Sequence, residues 1–316
     1  MLSSTADKLF WLARYAERAD NLARMLDVTH RMSLFPQSQK TSNSGWTALL
    51  AISDLLGEYK KHYSEVTAAN TLAFFLFDKS HPSSIISCWH AMRENARAVR
   101  GALSAEAWET INSTWIELRD MEASLAVGGD VGSFFEWVKY RSHLVRGVLR
   151  ATMLRDEAFH FWRLGTYLER ADSTARILDV KYNVLLPKGE GVGSAVDYYQ
   201  WSSVLRSLAA FEVYRKVYRD AITPRRVAEL LILRADMPRS LGHCVQECFN
   251  HLQQVRNLNS SETERRVGIL DADLRYGRID DIFNTGLHEY LMSFIDRIHE
   301  IGEGVTRDFL IHAEVA

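Results

Sequence analysis

Two stretches of the sequence carry the same charged residues in the same order. Residues 15–28 read YAERADNLARMLDV and residues 167–180 read YLERADSTARILDV. Ten of these fourteen positions are identical at an offset of 152. The shared groups are Glu17 and Glu169, Arg18 and Arg170, Asp20 and Asp172, and Arg24 and Arg176. On a helical wheel Arg14, Glu17, Asn21 and Arg24 fall on one face, with Asp20 and Asp27 beside them and Arg18 at the edge. Tyr15, Ala19, Leu22 and Leu26 fall on the opposite face, which is expected to pack. In the second copy Thr166, Glu169, Ser173 and Arg176 share the polar face, with Asp172 and Asp179 beside it and Arg170 at its edge.

Carboxylates and guanidiniums at these spacings permit three uses. A solvated face would gain ~0.2–0.5 kcal/mol from each pair such as Asp20 with Arg24 or Asp172 with Arg176. Two such helices crossing would form a buried structural network. A cleft between the two copies would be a site, lined by Glu17, Arg18, Asp20, Arg24, Glu169, Arg170, Asp172 and Arg176. The copies have diverged over most of the chain, and a merely wet face would not require identical charges at identical positions.

Other constellations are weaker. Glu157 and His160 have the Glu-x-x-His spacing of di-iron bundles, but a full site needs a second such motif and two more glutamates. Asp296 and His299 are the nearest relative. His243, Cys244, Glu247, Cys248 and His251 follow one another at helical spacing and suit a transition metal. Cys244 matches Cys88 across the repeat, where no such cluster stands, so a small core thiol explains the pair better. No metal is expected. No Gly-x-Ser-x-Gly elbow and no Walker-type glycine loop occurs. Gly189, Gly191 and Gly193 read as a connector, since no strand precedes them. Trp46, Tyr59 and Tyr63, with Trp201, Tyr214 and Tyr218, read as core. Arg93, Arg97 and Arg100 read as a solvated basic run with no obvious acid partner.

The elements that must hold these groups repeat as well. Trp46, Tyr59 and Tyr63 recur as Trp201, Tyr214 and Tyr218 at an offset of 155, and Cys88, Val99 and Arg100 as Cys244, Val255 and Arg256 at 156. One body of two internally repeated halves, 1–153 and 154–316, is therefore expected. Each half reads as six helices: about 4–33, 45–63, 64–78, 82–101, 104–125 and 133–152, then 155–185, 197–219, 223–235, 239–257, 259–275 and 279–313. Polar loops are expected at 35–45 and 187–194, and Pro82 and Pro238 as first-turn residues. The fold class is all-α, with about twelve helices in two pseudo-symmetric half-bundles.

Composition sets the outer limits. The 316 residues are 47% hydrophobic and 25% charged, ordinary for a globular chain. The net charge of −2 argues against a nucleic-acid footprint. Five prolines favour long helices. Three cysteines without paired spacing fit a reducing cytoplasm. Neither a membrane span nor a signal peptide is expected.

The motif Trp11-Leu12-Ala13-Arg14-Tyr15-Ala16-Glu17-Arg18-Ala19-Asp20, with its second copy Leu164-Gly165-Thr166-Tyr167-Leu168-Glu169-Arg170-Ala171-Asp172, resembles the bacterial alpha-E family over essentially the whole chain. Ala13 departs from the glycine that Gly165 leads one to expect there, which bears on close helix packing. The resemblance implies companionship with an ATP-grasp ligase of circularly permuted type, and with transglutaminase-like proteases and proteasome-like peptidases. It implies no firm reaction. The resulting expectation is a non-catalytic partner subunit of an ATP-grasp amide ligase in a peptide-modification system. It would bind the ligase or a carboxylate or peptide substrate through Arg14, Glu17, Arg18, Asp20, Arg24, Glu169, Arg170, Asp172 and Arg176. The alternative is an enzyme using Glu17 or Glu169 as acid or base in amide transfer or hydrolysis. No cofactor is expected.

Overall fold

The computed structural model describes residues 1–33, 39–126, 129–183 and 195–310. Among the described residues every regular element is helical. The first part of the chain supplies α1 (Ser3–Ser33), α2 (Gln39–Ile52), α3 (Leu56–His62), α4 (Ala68–Phe77), α5 (Ile85–Ala98), α6 (Ala105–Ala126) and α7 (Val131–Thr152). The second supplies α8 (Glu157–Asn183), α9 (Ala195–Ser207), α10 (Phe211–Tyr218), α11 (Pro224–Ile232), α12 (Leu241–Val255), α13 (Ser261–Tyr276), α14 (Ile279–Thr285) and α15 (Leu287–Val305). A 3-10 turn follows α5, and a π-turn over Thr306–Leu310 closes the described chain.

Among the described residues fifteen α-helices stand beside the expected twelve, for a local reason. Three of the predicted helices are each divided in two by a residue at positive φ. Asp54 (φ 54°) separates α2 from α3, Ala209 (φ 52°) separates α9 from α10, and Gly286 (φ 103°) separates α14 from α15. Neither Asp54 nor Ala209 has a glycine or proline beside it, so the pattern gives no warning. Only Gly286 carried a readable signal.

Helix entry is also corrected in detail. Pro82 and Pro238 stand ahead of α5 and α12 rather than in their first turns. Ser84 and Ser240 are the caps, each side-chain oxygen accepting from the amide three residues on, Ser87 and His243. Helix α2 begins at Gln39, inside the segment expected to be loop. The remainder of that loop (35–38), the whole of the loop expected at 187–194 and its three glycines lie outside the described residues.

Two hydrophobic cores form, and α1 and α8 belong to both. Leu9, Leu12, Ala16 and Leu26 pack with Trp46, Tyr59, Phe74, Trp89, Phe135 and Trp162. Phe10 turns the other way, toward Leu164, Leu168, Trp201, Tyr214 and Leu241. Trp46, Tyr59, Trp201 and Tyr214 are core, as their spacing implies. The Tyr59 hydroxyl donates to the Glu65 carbonyl and Tyr214 to the Ala221 carbonyl, each at 2.8 Å, so each buried phenol is satisfied. Cys88, Cys244 and Cys248 are buried thiols in the same cores.

Helices α1 and α8 cross at very short range. A Cβ built on Gly165 would lie 2.2 Å from the Phe10 carbonyl oxygen and 3.1 Å from the Ala13 methyl. Glycine at 165 is what lets the two backbones meet. Ala13 fills the space that a second glycine would leave, which accounts for the departure seen in the sequence.

Candidate functional site: an arginine–carboxylate network between two helices

The crossing of α1 and α8 places the two Glu-Arg pairs face to face, and they exchange partners. Arg18 donates from Nε to Glu169 Oε1 at 2.6 Å and from Nη2 to Oε2 at 3.0 Å. Arg170 donates from Nε to Glu17 Oε1 at 2.9 Å and from Nη2 to Oε2 at 3.0 Å. Both are bidentate, the geometry in which a planar guanidinium matches a carboxylate best. Neither glutamate pairs with the arginine next to it in sequence.

Each carboxylate then recruits further cations. Glu169 accepts from Arg14 Nε at 2.7 Å. Glu17 accepts from Arg146 on α7 at 3.0 Å and from Arg239, just ahead of α12, at 3.2 Å. Asp20 accepts from Arg24 (3.0 Å), Arg146 (2.9 Å) and Arg239 (2.7 Å). Asn21 offers its carbonyl oxygen to Arg239 at 2.7 Å. Asp172 is served differently, by Arg176 at 3.0 Å and by His299 of α15 at 3.0 Å. All nine residues singled out from the sequence therefore take part in this arginine–carboxylate network, in three separately bonded groups: Glu17 and Asp20 with Arg24 and Arg170, Glu169 with Arg14 and Arg18, and Asp172 with Arg176. Arg146, Arg239, His143 and His299 are its members that motif reading missed.

Burial decides which of the three uses the helix faces serve. Glu17 is 1% exposed, Asp20 0% and Glu169 3%, so the carboxylate-bearing faces are not solvated. Burial alone would raise the Glu17 pKa, but Arg170, Arg146 and Arg239 outweigh it and hold the carboxyl at about 2. Asp20 is depressed further, since Arg146, Arg239 and Arg24 again overcome burial. Asp172 is held at about 2, where His299 and Arg176 together overcome its desolvation. For Arg239 desolvation prevails: despite Glu17 and Asp20, and with Arg170 and Arg24 adding repulsion, it is pushed down to about 10. At neutral pH all these groups are charged.

A carboxylate held this way has no proton to donate, and its oxygens already accept several hydrogen bonds. Glu17 is thus a poor general acid or base. What the arrangement does well is fix two long helices in register. The guanidiniums reach nearer the surface than the carboxylates do: the Arg18 and Arg176 side chains are each 27% exposed.

The remaining sequence candidates fall outside this network. Arg93 and Arg97 both pair with Glu94, and Arg93 donates to Asn112, so the basic run has an acid partner that sequence reading did not assign. Arg93 and Arg100 also lie against the Trp108 ring. His160 and His251 bring their Nδ1 atoms within 2.9 Å, and Tyr167 donates to Glu247 at 3.0 Å. No group of three or more His, Cys, Asp or Glu among the described residues is placed to hold a metal ion. No helix among them is long and apolar enough to cross a membrane.

Fold and network together define an all-helical protein locked by a reciprocal arginine–glutamate exchange. The chain belongs to the Alpha-E family, described as a predicted alpha-helical domain with a conserved ER motif, whose model matches residues 1–310. It is similar to an uncharacterized protein of Mycobacterium bovis, 24% identical over 311 residues. Uncharacterized proteins of Mycobacterium tuberculosis match at the same identity. These matches take in 92% of this chain but 34% of the relative, so the chain spans about a third of the length of the curated relatives it matches. No solved structure matches.

Proposed function

We propose that the chain is a non-catalytic partner subunit of an ATP-grasp amide ligase, acting in the cytoplasm in a peptide-modification system. In this reading two pseudo-symmetric half-bundles, descended from one duplicated unit, are clamped at the Glu-Arg helices. The clamp presents arginines to the ligase or to a carboxylate or peptide substrate. The observation that carries the proposal is the excess of guanidinium over carboxylate in the network. Seven arginines (Arg14, Arg18, Arg24, Arg146, Arg170, Arg176 and Arg239) serve four carboxylates (Glu17, Asp20, Glu169 and Asp172). A purely structural lock needs no surplus of buried or half-buried cation, because unpaired charge away from water costs free energy. The saturated carboxylates favour binding over acid–base chemistry. In the longer relatives the same unit is covalently joined to about twice its own length of further chain, which suits a module that works against a partner.

The test is affinity capture of the tagged chain from its native cytosol, followed by ATP turnover of the recovered ligase with and without it. Stoichiometric recovery of an ATP-grasp ligase whose turnover depends on the chain is the expected result. Recovery of the chain alone at normal expression overturns the proposal. A Glu17→Gln variant assayed below its melting temperature should retain activity in the reconstituted system. Loss of turnover with binding intact would instead make Glu17 a catalytic group.

A further inference from the structure

The surplus of cations is uneven, and it concentrates along the seam between α1 and α7. There Glu17 and Asp20 meet four arginines: Arg24, Arg146, Arg170 and Arg239. The corresponding pair, Glu169 and Asp172, meets three, Arg14, Arg18 and Arg176; at an offset of 156 His299 of α15 answers to His143 of α7, and Gly302 stands where α7 has Arg146. Arg239 stands at the place in its half where Ser83 stands in the other, at an offset of 156. One seam therefore carries two more cations than carboxylates.

His143 marks where this excess reaches the surface. It is exposed, and its two ring nitrogens face two guanidiniums: Nε2 lies 3.0 Å from Arg24 Nη2, and Nδ1 lies 3.1 Å from Arg146 Nη2. A guanidinium has only N–H donors, and a neutral imidazole has one acceptor nitrogen and one N–H. Only one of the two contacts is therefore a hydrogen bond; the other sets N–H against N–H. Protonating the ring makes both contacts unfavourable. The same network holds a second donor without an acceptor, since the buried Asn21 Nδ2 has no hydrogen-bond partner among the described residues. Donor excess and charge excess thus occur in one group of side chains, of which His143 is the exposed member.

We infer that the α1–α7 seam is an oxyanion site, taking a carboxylate or phosphate group on the outer side of the His143 imidazole and the Arg24 and Arg146 guanidiniums, whose 3.0 and 3.1 Å contacts leave no room between them. An oxyanion there supplies acceptors for the facing N–H groups and offsets the surplus charge. The groups that face His143 are Asp20 and Arg24 from α1, Arg146 from its own helix and Arg239 from the segment before α12. Desolvation, Arg146, Arg24 and Arg239 lower its pKa and only Asp20 raises it, so the ring is neutral at pH 7 until an anion arrives. The inference rests on the proposed function for its carboxylate ligand, and it narrows that function to one of the two seams.

The test follows the His143 ring by NMR through a pH titration. The probes are inorganic phosphate, N-acetyl-alanyl-alanine with a free carboxylate, the same dipeptide as its amide, and chloride at equal ionic strength. A bound oxyanion should raise the His143 pKa by about one unit, with the amide and chloride inert and His299 unmoved. A response to phosphate alone identifies a phosphate group; a response to the free dipeptide alone identifies a peptide carboxylate. The effective anion should also bind wild type calorimetrically and lose at least tenfold in affinity in His143→Ala, a surface change that leaves the buried pairs in place. Absence of any His143 shift beyond chloride overturns the inference, as does an equal shift at His299. If the ligase is captured yet no anion moves His143, this inference falls and the proposed function stands. If an anion binds and no ligase is captured, the reverse holds.

Discussion

Replacing Glu17 by Gln is the sharpest perturbation of the network. The side chain keeps its size and one acceptor oxygen, but its new amide hydrogens face Arg170, Arg146 and Arg239, which have only donors. The cost can be worked in two ways. A tenfold change in proton affinity is worth ~1.36 kcal/mol. Holding the Glu17 carboxyl at about 2 instead of 4.5 therefore stabilises the ionised folded state by ~3 kcal/mol. Breaking a buried ion pair by removing one partner costs about 3–5 kcal/mol, because the other charges stay buried. Both point to a loss of roughly 3–5 kcal/mol, or a Tm lower by about 6 °C or more. The assay is urea and thermal unfolding at pH 7 followed by circular dichroism, with the pH then lowered. The carboxyl's folded pKa is depressed, so its contribution is fully present above about 4.5 and is lost as pH falls through about 2. Glu17→Gln should therefore differ most from wild type near neutrality and converge with it as pH approaches 2. A variant within about 1 kcal/mol of wild type at pH 7, or a gap that does not narrow in acid, would refute the buried-network reasoning.

Four further outcomes are expected. Gly165→Ala forces its methyl onto the Phe10 carbonyl and should cost about 1–3 kcal/mol or more in unfolding free energy, with no change of net charge. Arg239→Met strips donors from Glu17, Asp20 and the Asn21 carbonyl and should destabilise by about 2–4 kcal/mol in chemical unfolding, as a buried polar loss does. His288 is raised by its hydrogen bond with Asp179, against a smaller desolvation, so its contribution is full below about 6.5 and is lost as pH rises through its folded pKa. His288→Gln should thus lower Tm at pH 6 and leave it unchanged at pH 9. Burial pushes the Cys88 and Cys244 thiols up to about 12 and Cys248 well above the ordinary thiol value, so the native protein should resist a thiol-specific disulfide reagent that labels all three once unfolded.

The motif itself was legible because two copies of a helix can be compared within one chain. Glu17, Arg18, Asp20 and their mates stood out by identity, and the wheel placed them on shared faces. Which carboxylate meets which arginine was not legible, because the exchange runs between elements more than 150 residues apart. Arg239 gave no signal: its repeat mate is Ser83, so comparing the copies hides it. Arg146 is hidden in the same way, since its repeat mate is Gly302, whereas His143 recurs as His299 at an offset of 156, a signal that comparison of the motif helices alone does not reach. Both faces of α1 are in fact covered, because α1 lies between two cores and its charged side is roofed by α7, α8 and Arg239. Helix existence was readable from periodicity, whereas the breaks at Asp54 and Ala209 depend on tertiary packing that lets a non-glycine residue take positive φ.

The sharing of α1 between two cores has a consequence for the order of assembly. Among the elements of the network α1 comes earliest in the chain, but its charged face is completed by the latest. Glu17 and Asp20 must wait for Arg146, then Arg170 and finally Arg239 to emerge from synthesis, a separation of more than 200 residues for the last contact. Until then the α1 carboxylates are compensated only in part, Asp20 by Arg24 of its own helix and both by Arg146. Such non-local closure makes folding slow relative to a simple bundle and gives it a late, cooperative final step. A chain ending before residue 239 therefore lacks the one guanidinium that serves Glu17, Asp20 and the Asn21 carbonyl together, although its α1 can already pack its apolar side on α2–α7.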